Sequence, residues 1–120
     1  MKLEKVAFTM YPVRDVKRAR AFYETTLGLA RGKAESDTWT EYDLPGGGCF
    51  ALFHTDSLQP SASSGSVAFE VDDLDALNKK LAAAGVTYKA EMIHSPVCRM
   101  SVVVDPEGNS VILHELKQKA

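Results

Sequence analysis

The chain holds three histidines, His54, His94 and His114, among its 120 residues. An imidazole is a metal ligand, a proton carrier or a hydrogen-bond partner near neutral pH. Glu41 and Glu70 alternate with apolar neighbours in extended stretches, and a carboxylate turned into an apolar site would serve as a general base. Cys98 is followed by Arg99, a cation that would lower the thiol pKa and make it a nucleophile. The plainer reading of Cys98 is a small buried hydrophobe. Arg99 itself carries a planar fork suited to an anionic group on a ligand. Trp39, the single tryptophan, is either a stacking surface for a ligand or a core or dimer contact. The catalytic candidates are therefore Glu70, Cys98 and His114, with no reaction assigned to them. Gly46-Gly47-Gly48 has no lysine or helix after it and reads as a turn, not a phosphate loop. Arg14, Lys17, Arg18 and Arg20 read as the wet face of a helix.

These residues must be held by strands. Val102 to Leu116 predicts a hairpin: three β-branched valines, turn chemistry at Asp105-Pro106-Glu107-Gly108-Asn109, then an alternating return strand. The stretch Gly48 to His54 matches Gly108 to His114 at an offset of sixty, half the chain. On that alignment Leu52 and His54 share one face of their strand, as Ile112 and His114 share one face of theirs.

The remaining elements repeat in the same order. Leu3 to Val13 predicts a strand; Asp15 caps a helix whose apolar stripe is Val16, Ala19, Phe22, Tyr23 and Leu27, and Gly28 stops it. Strands follow at Leu29 to Ala34, Thr38 to Leu44 and Cys49 to His54. After a polar, serine-rich stretch come a strand at Ser66 to Val71, a helix at Leu74 to Ala84 ended by Gly85, and strands at Val86 to Ile93, Val97 to Val104 and Ser110 to Leu116. The prediction is an α+β fold of one domain, 1–120, with module one at 1–57, a linker at 58–64 and module two at 65–120.

A composition of 45% hydrophobic and 25% charged residues is that of an ordinary soluble domain, and a net charge of −2 argues against a nucleic-acid partner. No apolar run approaches the roughly 20 residues of a membrane span, and MKLEKVAF has no signal-peptide core. A cytoplasmic location without a membrane partner is expected. Cys49 and Cys98 are read as two free thiols.

In order and spacing, several phrases carry a resemblance. They are Asp15-Val16 opening a helix with Ala21-Phe22-Tyr23 and closing on Leu27-Gly28-Leu29; Phe69-Glu70-Val71-Asp72-Asp73-Leu74; Ala84-Gly85-Val86; and Asp105-Pro106-Glu107-Gly108-Asn109. The chain resembles the vicinal oxygen chelate superfamily, which includes glyoxalase I, bleomycin-resistance proteins, fosfomycin-resistance enzymes and extradiol dioxygenases. The resemblance implies two tandem βαβββ modules forming a curved mixed-sheet cup with helices outside, and often a homodimer. Metal-dependent members hold a divalent ion through His, Gln or Glu at positions that fall here on Phe8, Leu52, Ser66 and Ile112. Three of these cannot bind a metal and Ser66 is a poor ligand, so no metal and no cofactor are expected.

Three readings follow. In the first, the protein binds a small organic molecule in an apolar cup, with Phe8, Met10, Trp39, Leu52, His54, Arg99, Ile112 and His114 as the ligand-binding set and Phe50 beside them. In the second, it is a glyoxalase- or dioxygenase-type enzyme (a lyase, isomerase or dioxygenase) with a displaced metal at His54 and His114. In the third, its own side chains fill the cup and its work is dimerisation.

Overall fold

A computed structural model describes residues 4, 6–61 and 66–117, with the side chain of residue 34 also outside that description. Linker positions 62–64 lie outside the described residues. The chain divides into two compact units, Met1–Pro60 and Ser61–Ala120. The first holds β1 (Thr9–Pro12), α1 (Val16–Ala21), β2 (Arg31–Glu35), β3 (Trp39–Asp43) and β4 (Cys49–Phe53), in sheet order β1-β4-β3-β2. The second holds β5 (Ser66–Glu70), α2 (Leu74–Ala83), β6 (Thr87–His94), β7 (Cys98–Val104) and β8 (Ser110–Leu116), in order β5-β8-β7-β6. β1 runs parallel to β4 and β5 parallel to β8, while the other pairs are antiparallel. The fold is α+β, two βαβββ units with mixed sheets.

The same devices build both units. Asp15 accepts a hydrogen bond from the Arg18 amide at 3.0 Å, and Asp73 accepts one from the Ala76 amide at 3.0 Å, so each helix starts on an aspartate cap. Each helix then packs on one face of its own sheet. Tyr23, Tyr42, Phe50 and Leu52 are fully buried in the first unit, as are Leu74, Leu81, Val103, Val111 and Leu113 in the second. A polar pair lies between helix and sheet in each unit: Arg20 Nε donates to Thr40 Oγ1 at 2.6 Å, and Asn78 Nδ2 donates to Ser101 Oγ at 3.1 Å. Arg20 therefore leaves the wet helix face assigned to it, because its guanidinium satisfies the buried Thr40 hydroxyl and the Ser36 carbonyl.

The turns before β4 and β8 fix the phase of those strands. Gly47 donates to the Leu44 carbonyl and Gly108 to the Asp105 carbonyl; Leu44 donates to the Gly48 carbonyl and Asp105 to the Asn109 carbonyl. Gly47 at φ 104° and Gly108 at φ 91° occupy the left-handed region that these turns need. Gly47 is thus the counterpart of Gly108, an offset of sixty-one and not the sixty that the sequence match suggests. Every residue of β4 shifts by one against the expected pairing, and in a strand that exchanges the faces.

The helices differ in one respect. α1 runs on through a π turn at Phe22–Thr26, where the Leu27 amide donates to the Phe22 carbonyl. Leu29 then bonds back to Tyr23, whereas Val86 bonds back to Leu81 with one residue fewer between. Under this helix the Tyr42 hydroxyl donates to Glu24 at 2.9 Å, and Arg31 forks onto both Glu24 oxygens. Burial pushes the Glu24 carboxyl up, but the hydrogen bonds from Arg31 and Tyr42, with the charges of Arg31 and Arg20, bring it below the ordinary 4.5.

Candidate ligand-binding site

In the second unit the Asp105 side chain locks the turn, accepting from the Glu107 amide at 2.9 Å and the Asn109 amide at 2.8 Å. β8 leaves this turn with Val111, Leu113 and Glu115 buried against α2. Ser110, Ile112 and His114 consequently face the opposite side of the sheet. Ladder partners bring Ser66, Ala68 and Glu70 of β5 to the same side, and Val102 and Met100 of β7. A recess of about 400 Å³ opens there, lined by Ser66, Lys89, Ala90, Val102, Ser110 and Ile112. Ala90, Val102 and Ile112 are its apolar lining, and its polar residues are the two serines and Lys89. The volume lies within the range of small-molecule sites.

Further along the same face, His114 Nδ1 lies 2.6 Å from Glu70 Oε1, and Glu70 Oε2 accepts the Leu116 amide at 3.0 Å. An ionised carboxylate only accepts, so Nδ1 carries the proton and, in the neutral ring, Nε2 keeps its lone pair. Among the described residues nothing else bonds this ring. Two of the three catalytic candidates, Glu70 and His114, thus meet as an oriented pair. Cys98 does not join them as an activated thiol: it is buried, its Sγ lies 3.1 Å from Ser95 Oγ, and Arg99 points away to the other face.

Arg99 requires a correction as a ligand-binding residue. Its ladder partner is Glu115, while His114 faces Met100. The guanidinium therefore lies on the helix side, where Nε donates to Glu115 at 2.7 Å and Nη1 and Nη2 donate to Asp75 at 3.1 and 3.0 Å. Glu115 in turn accepts the Leu74 amide at 3.0 Å. Arg99 thus ties α2 to its sheet. The hydrogen bond from Arg99, reinforced by its charge, holds the Asp75 carboxyl below the usual range.

Leu52 and His54 are corrected by the turn phase. Leu52 is wholly buried, on the helix side of β4 with Phe50, whose ring lies 5.0 Å from that of Tyr23. His54 Nδ1 donates to the Val13 carbonyl at 2.8 Å, a local tie to the chain leaving β1. Its counterpart in the second unit is Glu115, and the counterpart of His114 is Phe53. The proposed equivalence of His54 and His114 fails. Ile112 keeps its assigned face but is only partly buried.

The open face of the first sheet is aromatic. Trp39 makes edge contacts with Phe8 at 5.3 Å and with Phe53 at 5.4 Å, and its Nε1 donates to Glu41 at 3.1 Å. Met10 belongs to the same face, opposite Ala51 in the ladder. Burial, then the charges of Glu41 and Asp43, raise the Cys49 thiol and keep it protonated. The sequence reading missed Phe53, Lys89 and Ser110. The first was hidden by the one-residue phase error. Ser110 was visible as the residue two before Ile112. Among the described residues, no group of three or more His, Cys, Asp or Glu side chains forms a metal-binding cluster. Among the described residues, no helix is long and apolar enough to cross a membrane.

The model of the Glyoxalase/Bleomycin resistance protein/Dioxygenase superfamily matches residues 5–113. A curated relative, the anthracycline biosynthesis protein DauV of Streptomyces sp. (strain C5), is 30% identical over 109 residues. The match takes in 87% of this chain, which spans only 38% of that relative's length. A glyoxalase family protein from Bacillus anthracis superposes with TM-score 0.81 at 18% identity, covering 98% of each chain. TnmS3, an antibiotic binding protein from Streptomyces sp. CB03234, superposes with TM-score 0.77 at 24% identity, covering 98% of this chain and 99% of its own. At these identities the two structures speak for the fold alone.

Proposed function

From a chain that belongs to the Glyoxalase/Bleomycin resistance protein/Dioxygenase superfamily, we propose a protein that binds a small organic molecule without the help of a metal. The observation that carries this is the recess on the second sheet. The inherited ligand positions of that unit, Ser66 and Ile112, line it, and they offer a hydroxyl and a hydrocarbon where a metal site needs imidazole or carboxylate. In the first unit the corresponding positions are Phe8 and, by the turn phase, Ala51, which also lack donor atoms. A flat, mostly apolar molecule with one acidic or carbonyl group suits such a surface. The name of the curated relative, a protein of anthracycline biosynthesis, supports a ligand of that kind. A homodimer in the cytoplasm completes the reading.

Calorimetric titration with a panel of aromatic polyketides, an anthracycline among them, tests it. At least one member should bind the wild type, and Ile112→Arg should abolish that binding while leaving the circular dichroism spectrum unchanged. A panel without a binder, or binding indifferent to Ile112→Arg, would sink the proposal.

A further inference from the structure

Glu70 and His114 give the site a chemical preference that an apolar recess alone lacks. In a free neutral imidazole the proton sits mostly on Nε2. Here the carboxylate 2.6 Å from Nδ1 draws the proton to that nitrogen. Glu70 is itself steadied by the Leu116 amide on its second oxygen, so the carboxylate is held in place to orient the ring. The His114 side chain is 26% exposed, accessible to a bound molecule yet attached to a rigid ladder by its pairing with Met100 and Glu70. Two residues back on the same strand face, Ile112 lines the recess, and Lys89 adds a positive charge to its lining. What this arrangement offers a ligand is an acceptor lone pair beside an apolar floor, with a cation in the same lining.

We infer that His114 Nε2 is the specificity-determining acceptor for an acidic hydroxyl, a phenol or enol, on the bound molecule. The inference rests on the small-molecule reading above and narrows it to hydroxylated planar ligands. The step balances simply: the ligand O–H bond breaks heterolytically, its electron pair stays on oxygen, and the proton passes to Nε2. The imidazolium so formed lies between the Glu70 carboxylate and the phenolate. An ether or a carbonyl at that place has no proton to give, and it would meet a lone pair with a lone pair.

The probes are 2-hydroxyanthraquinone and its O-methyl ether, measured by equilibrium dialysis and absorption spectra against the wild type, His114→Gln and Glu70→Ala. The wild type should bind the phenol about tenfold or more tightly than the ether, and the bound phenol should show the red-shifted phenolate band. His114→Gln should keep its affinity for the ether and lose both the preference and the band. Glu70→Ala should weaken the preference, because the ring is then free to carry its proton on Nε2. Equal binding of both probes by the wild type, or a preference and band that survive His114→Gln, would overturn the inference alone. Binding of neither probe would overturn it together with the aromatic-ligand reading. The nitrogen-15 spectrum of His114 in the unliganded wild type gives an independent readout if a variant does not fold: protonated Nδ1 with bare Nε2 supports the inference, and the reverse tautomer refutes it.

Discussion

Phe53 holds in the first unit the place that His114 holds in the second. Each passes its carbonyl to the first residue beyond the parallel partner strand, Phe53 to the Val13 amide and His114 to the Val71 amide, at 2.9 and 2.8 Å. Each stands on the face of its sheet away from the helix. The equivalence divides the labour between the units: one presents an edge-packed aromatic cluster, the other a carboxylate-oriented imidazole.

Face assignment decides which substitutions harm the fold. Leu113 is 1% exposed against α2, whereas its neighbour Ile112 looks onto the recess. Leu113→Ala should cost about 2–5 kcal/mol in urea denaturation, as deletions from a filled core do. Ile112→Ala should cost clearly less than about 2 kcal/mol, since part of that side chain is already in contact with solvent. Equal losses at the two sites would contradict the strand phase.

Acid should loosen the first unit through Glu24. Its carboxyl titrates below the ordinary 4.5 in the folded chain, so the folded state favours the ionised form. The stability this contributes is fully present above the ordinary value and is lost as pH falls through the depressed one. Glu24→Gln should therefore be less stable than the wild type at neutral pH. The gap should narrow as pH falls below the ordinary 4.5 and close once pH passes the depressed value, where the folded wild type takes up its proton. Denaturant midpoints measured across that range check it, and a gap that stays constant would rule out the linkage.

Metal content is a direct test of the binding proposal. Protein purified without chelator should carry no stoichiometric divalent ion by elemental analysis. One zinc, nickel, manganese or iron per chain would favour the enzyme reading instead.

Val6, Phe8, Ile93 and Val97 are large apolar side chains that remain exposed in the single chain, with Val6 at 77% and Val97 at 67%. Apolar surface of this kind is commonly covered by a second subunit. Sedimentation velocity at micromolar concentration should show a homodimer. A monomer throughout would count against it.

The element order and the Asp15 cap were legible because period and cap chemistry are local. Which way the side chains of β4 face was not. Three consecutive glycines, Gly46 to Gly48, can each accept the left-handed turn position, so the residues alone leave the strand phase open by one. Asp105 removes that freedom in the second unit by binding two amides of its own turn, and there Ile112 and His114 were placed on the correct face. Arg99 was misread for another reason. Its neighbours Glu115 and Asp75 are remote in sequence, and only the ladder register shows which face it shares with them.

The π turn at Phe22–Thr26 records how the two halves diverged in length. The first helix contains one residue more than the second between its aspartate cap and its closing glycine, Asp15 to Gly28 against Asp73 to Gly85, and the surplus is stored as a widened turn inside the helix. The glycine stop and the strand after it keep their places. That makes this turn the natural spot for a length change. Removing one residue from it would let the helix close to ordinary pitch, while the same deletion in α2 would drag β6 out of register, having no slack to consume.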